Sequence, residues 1–127
     1  MTEHRTPLAR VRGLGSARSG TAHFWHQRLT AVANVPLTIA FVLIVVALLG
    51  SNHAAAKQIL GTPLVAIVIL LFIGSVTYHM RIGMQVIIED YVHEETPKLV
   101  LIMLNTFFAI AVALASAYAI FKLSFGV

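Results

Sequence analysis

Three uninterrupted apolar stretches decide what this chain can fold into: Leu29–Leu49, Pro63–Ile88 and Leu99–Phe121, of 21, 26 and 23 residues. A hydrocarbon core of about 30 Å needs roughly 20 helical residues to cross it, so each stretch is long enough. In lipid no water is present to satisfy the backbone, and a single crossing segment must make its own hydrogen bonds as a helix. Composition agrees: 58% of the residues are hydrophobic, only 11% are charged, and the mean hydropathy is +0.86. A soluble domain carries about 25% charged residues. The expected fold is therefore all-α and integral to the membrane. A tail over residues 1–28 precedes a membrane domain over 29–127, with helices over about 29–49, 63–90 and 97–123.

The punctuation fits these boundaries. Thr62-Pro63 and Thr96-Pro97 each read as an N-cap residue followed by proline at the first helical position. Gly50 is placed to stop the first helix, and Pro36 inside it calls for a kink or for compensation by a neighbour. Orientation follows from the basic residues. The tail holds Arg5, Arg10, Arg12, Arg18 and Arg28, and Lys98 follows the second helix, whereas the opposite side has only Lys57 and Lys122. The positive-inside rule then puts the N-terminus in the cytoplasm and the C-terminus in the periplasm of a bacterial inner membrane, with the mitochondrial inner membrane as the alternative. Glu3 interrupts the arginines and no small-residue cleavage site follows a short apolar core, so the tail reads as retained. Its Gly13, Gly15 and Gly20 lack the spacing of a phosphate loop. Membrane lipid is an expected partner of the basic residues; nucleic acid is not.

The chain has no cysteine, which excludes disulfides, iron–sulfur ligation and a thiol nucleophile. Chemistry must rest on the polar groups that lie in the membrane, where each is costly. The second helix is the richest, reading Tyr78-His79-Met80-Arg81 and ending Glu89-Asp90-Tyr91. His79 lies roughly 24 Å from one end of that helix and 13 Å from the other, at 1.5 Å per residue. At 100° per residue, Gly83 falls about 40° and Asp90 about 20° from it, on one face. That face offers an imidazole, a gap where a flat object can approach the backbone, and a carboxylate near the surface. These are the needs of a haem held by an axial histidine. A histidine hydrogen-bonded to a neighbouring helix is the competing reading, and the residue alone does not separate the two. A haem with two protein ligands would need a second chain.

Other polar residues carry weaker signals. Arg81 points about 200° away from His79 and needs an acidic partner, a haem propionate or a route to the interface. Asp90 and Tyr91 close the helix, where a phenol and a carboxylate could orient a lipophilic carbonyl compound such as a quinone. His23 and His26 have a His-x-x-His spacing without further ligands, Trp25 suits an interfacial anchor, and Arg28 stands ready for an anionic group.

The run His79 … Gly83-Met84-Gln85-Val86 … Asp90-Tyr91-Val92-His93 resembles the end of helix two in the D-type hydrophobic anchor subunits of succinate dehydrogenase, respiratory complex II. The segment Gln27-Arg28-Leu29-Thr30-Ala31-Val32-Ala33 resembles that family's Arg-x-Thr-Ala start of helix one. The Ser-x-x-His-Arg-x-Thr-Gly motif of the C-type anchor is absent. The resemblance implies a three-helix part of a haem-binding bundle shared with a partner anchor. It implies His79 as an axial ligand of haem b, whose iron takes its second ligand from the C-type anchor. It further implies Arg28 near the haem propionates, Tyr91 on a ubiquinone carbonyl, and Asp90 supporting the quinone pocket. Ala22 stands where some members have a histidine, and Arg81 matches no family role. By the same resemblance the iron–sulfur and flavoprotein subunits would carry out succinate chemistry and dock on the cytoplasmic side. The alternatives are a fumarate reductase or other quinone-linked haem anchor, and a membrane scaffold without redox chemistry.

Overall fold

The structure, a computed structural model, describes residues 6–15 and 20–126. Glu3, Arg5 and Arg18 of the tail lie outside the described residues. Five helices follow one another: α1 (Pro7–Val11), α2 (Gly20–Leu48), α3 (His53–Gly61), α4 (Pro63–Tyr91) and α5 (Glu95–Phe125). Three of them, α2, α4 and α5, are long and apolar enough to cross a membrane. α4 is the central one, packed against α2 on one side and α5 on the other.

The helix ends show how local chemistry sets the boundaries. α2 stops at Leu48, and Gly50 takes the left-handed conformation (φ 73°) that glycine adopts without a steric penalty. Asn52 then caps α3, its Oδ1 accepting from the Ala55 N–H at 2.9 Å. Thr62 is the residue before α4 with Pro63 in the first turn, yet its hydroxyl donates back to the Gln58 carbonyl at 3.1 Å instead of capping α4. Pro36 sits inside α2 without interrupting its helical assignment.

Three boundaries depart from the sequence-based expectation. α2 begins at Gly20, nine residues before the apolar run, because hydrophobicity marks where lipid touches a helix and not where the helix starts. Its 29 residues therefore span about 43 Å, well beyond the hydrocarbon thickness. α5 begins at Glu95, with Glu94 as N-cap, so Pro97 occupies its third position instead of the first. The first intrahelical bond there runs from Lys98 N–H to the Glu94 carbonyl, and proline's missing N–H falls among donors that had no partner anyway. The short α3 was not anticipated. It packs against α4 and α5, and its last residue, Gly61, lies so close to α5 that an added Cβ would meet the Leu123 carbonyl oxygen at 3.3 Å.

A buried apolar cluster lies at this end. Ala66, Ile69 and Ile120 form a buried cluster, flanked by Ile44, Leu60, Val65, Leu70 and Ile73. The other half of the bundle, where His79 resides, combines buried apolar residues, Ile82 (1% exposed), Ala109 and Ile88, with polar contacts between helices. Large apolar side chains such as Leu29, Val32, Leu71 and Phe107 cover the outside, as expected of helices whose solvent is lipid.

Candidate functional site

α2 and α4 run antiparallel, as three cross-helix pairs make plain. Phe41 stacks on Phe72 with ring centroids 4.5 Å apart and 14° between planes. Further along, Thr30 Oγ1 lies 3.0 Å from His79 Nδ1, and His26 Nδ1 lies 3.0 Å from the Tyr78 hydroxyl. The seam changes character along its length: aromatic at the middle of the membrane, polar toward the start of α2. On α2 the spacing of His23, Gln27, Thr30 and Asn34 by fours and threes puts them on one stripe, and all four are half-buried.

His79 is half-buried on α4. Its Nδ1 faces Thr30, while Nε2 makes no hydrogen bond to another described residue and is not fully enclosed. One turn on, Gly83 has free space: a Cβ built there would meet nothing within 4 Å. Since α4 is continuous to Tyr91, His79, Gly83 and Asp90 share the face expected of them.

Two buried polar atoms lie one turn deeper than this pair and lack partners, Asn34 Oδ1 on α2 and Ser75 Oγ on α4. His23 Nε2, on the same stripe toward the start of α2, is likewise enclosed and unpartnered. Beside the seam lies a cavity of about 560 Å³, walled by Thr30, Ala33 and Leu37 of α2 and by Leu71, Gly74, Ser75 and Tyr78 of α4. Most buried polar groups in proteins find a partner, so a seam with several orphans marks itself out.

The opposite seam resolves Arg81. Its Nε donates to Thr106 Oγ1 of α5 at 3.2 Å, and its carbonyl accepts from Asn105 Nδ2 at 2.9 Å. The partner is a hydroxyl on the neighbouring helix, not an acid. Thr106 in turn donates to the Ile102 carbonyl at 2.9 Å, so the hydroxyl is used in both directions.

Not every candidate residue gathers at His79. Arg28 is exposed, with its guanidinium 5.1 Å from the Phe24 ring centroid. It lies two residues from Thr30, about 200° round α2, and so faces away from the α2–α4 seam. Asp90 is exposed and Tyr91 is 79% exposed at the end of α4, some 18 Å along the helix from His79 at about 1.5 Å per residue. The phenol and carboxylate are thus presented outward by this chain, not enclosed by it. Gln85 Nε2 donates to Glu89 Oε1 at 2.8 Å and keeps that acid occupied. His26, read as half of an unsupported metal motif, is a partner of Tyr78 instead, and no group of three or more metal-binding side chains occurs among the described residues. Thr30 and Tyr78 are the residues sequence reading passed over. The signal for Thr30 was its rarity, as one of few hydroxyls in a long apolar helix.

Comparison with known proteins agrees with this architecture. Residues 2–118 match the family described as succinate dehydrogenase/fumarate reductase transmembrane subunit. The chain is 32% identical over 121 residues to a succinate dehydrogenase hydrophobic membrane anchor subunit of Paracoccus denitrificans, covering 95% of this chain and 93% of that one. It is 35% identical over 98 residues to a succinate dehydrogenase membrane anchor subunit of Reclinomonas americana, covering 75% and 82%. A third relative, from Rickettsia bellii and of the first description, is 29% identical over 119 residues, or 94% and 95%. No solved structure gives a significant match.

Proposed function

The chain belongs to the family of succinate dehydrogenase/fumarate reductase transmembrane subunits and is a membrane anchor of that kind, and on that premise we propose that it ligates haem b through His79 and contributes Tyr91 and Asp90 to a ubiquinone-reduction site. The observation that carries the haem reading is His79 itself: an imidazole in a membrane-spanning helix whose Nδ1 is engaged by Thr30 while Nε2 makes no hydrogen bond to another described residue and is not fully enclosed. Iron takes a neutral imidazole nitrogen, and the residues present fit the group. The free space at Gly83, one turn along the same face, accommodates a flat macrocycle against the helix. The haem, when bound, supplies one-electron redox chemistry.

His79 would hold the haem from this side, and a partner anchor of the C type would supply the other protein ligand. That partner also covers the apolar faces this chain leaves exposed. The Tyr91 phenol donates a hydrogen bond to a quinone carbonyl at the interface, and Asp90 beside it orients the partner-side groups that close the pocket. Both side chains are exposed here, as a site completed by another subunit requires. Arg28 reaches an anionic group at the membrane surface, a propionate among them, by rotation of its long side chain. Iron–sulfur and flavoprotein subunits oxidise succinate on the cytoplasmic side of a bacterial inner membrane, where the basic N-terminal segment and the Asp90–Thr96 turn also lie.

The test is a reduced-minus-oxidised spectrum of the purified complex, wild type against His79→Leu. A b-type α band present in the first and lost in the second supports the reading. A band of equal height in both, or none in the wild type, overturns it.

A further inference from the structure

Nε2 of His79 is useful to iron only if the ring carries its proton on the other nitrogen, and Thr30 is the group in position to decide this. We propose that Thr30 is the positioning residue of the haem ligand: its hydroxyl oxygen accepts a hydrogen bond from His79 Nδ1–H, holding the lone pair on Nε2 and the ring at one azimuth. This rests on the haem reading above.

A threonine hydroxyl has one proton. In α2 the Thr30 hydroxyl lies 2.7 Å from the His26 carbonyl oxygen and 3.1 Å from that of Gln27, the back-bonding geometry of a helical threonine. A carbonyl can only accept, so the proton is committed to the preceding turn. What remains on Thr30 Oγ1 is lone pairs, and a group 3.0 Å from them must be a donor. His79 Nδ1 is that group. Its neutral form with hydrogen on Nδ1 has the free pair on Nε2, the nitrogen that makes no hydrogen bond to another described residue.

A second contact steadies the first. Tyr78, the neighbour of His79 on α4, reaches His26 Nδ1 at 3.0 Å, and it is the His26 carbonyl that takes the Thr30 proton. The two adjacent residues of α4 thus close a ring of contacts with one turn of α2. Threonine suits the position because its β-branched side chain has few χ1 choices in a helix, so the oxygen is already aimed. A metal-bound histidine that donates its other N–H becomes a stronger base, which favours the more highly charged iron.

The experiment uses the assembled complex with Thr30→Val, Thr30→Ala and Thr30→Ser, reading the haem midpoint potential and the low-temperature electron paramagnetic resonance of the ferric haem. With the hydroxyl removed, the ferric form loses support. The ferric-to-ferrous ratio at a fixed ambient potential should fall about tenfold, which for one electron is a rise of about 59 mV. Thr30→Ser should restore the wild-type value and spectrum. If valine and alanine leave both unchanged, or if serine behaves like them, the proposal is overturned. Should valine and alanine cost the haem outright, retention in serine supports the hydroxyl, and loss in all three counts against it. Failure of the haem reading looks different: the wild type lacks the b-type band, or His79→Leu keeps it.

Discussion

The two seams that α4 makes are built from the same kinds of residue and end in opposite states. Against α5, the groups around Arg81 bond across the seam: guanidinium Nε to Thr106, carbonyl from Asn105, and Thr106 back to its own helix. Against α2, the groups near His79 are half spent. Thr30 and Tyr78 are engaged, but Asn34 Oδ1, Ser75 Oγ and His23 Nε2 are enclosed without partners, beside a cavity of about 560 Å³. The α5 side has two smaller cavities, of about 260 and 230 Å³, and Ser124 Oγ beside the second is likewise enclosed without a partner. Around Arg81 the α5 seam is tied by bonds within this chain; on the haem reading proposed above, the α2 seam near His79 is completed by another molecule.

Four substitutions sharpen or break this contrast. His79→Leu has the largest expected effect, loss of haem from the purified complex; a loaded variant would leave the α2 seam, like the α5 seam, tied only within this chain. Next, Tyr91→Phe should lower quinone reduction roughly a hundredfold, the lower end of what a positioned proton donor contributes, while succinate oxidation by an artificial acceptor persists. Equal loss of both activities would mean that Tyr91 supports the assembly and not the quinone. Phe72→Ala removes the stacked partner of Phe41 and should destabilise the complex by about 3 kcal/mol, seen as a lower thermal midpoint. A variant as stable as wild type would show that the aromatic pair does not hold α2. Smallest, Thr106→Val should cost about 1 kcal/mol in stability and leave the haem spectrum untouched. A spectral change there would erase the distinction between the seams.

The three spanning helices were legible because the energetic demand of the bilayer writes itself as long apolar runs. The helical arithmetic that set Gly83 and Asp90 beside His79 needed only an unbroken α4, which the structure has. What escaped was of two kinds. α3 left a readable mark, Asn52 before Ala54, Ala55 and Ala56, an N-cap followed by strong helix formers, but nine residues with little hydrophobicity do not stand out between membrane spans. The Thr30–His79 contact left none. It depends on the register between two helices, a tertiary quantity, and 49 positions separate the residues in the chain. For the same reason the sequence left Arg81 between an acid, a propionate and a route to the interface: Thr106 belongs to a helix whose relative rotation a sequence does not state.

The early start of α2 has a consequence for how such a chain can change over time. His23, His26 and Thr30 belong to one uninterrupted rod, so their bearings toward α4 are geared together. Exchanging one side chain for another alters a single tooth. Inserting or deleting one residue between His26 and Thr30 turns everything before it by about 100° and carries His23 and His26 off the seam, whereas seven residues restore the bearing to within about 20° but shift both histidines about 10 Å along the axis. Lineages of this segment should therefore tolerate spelling changes far more readily than changes of length.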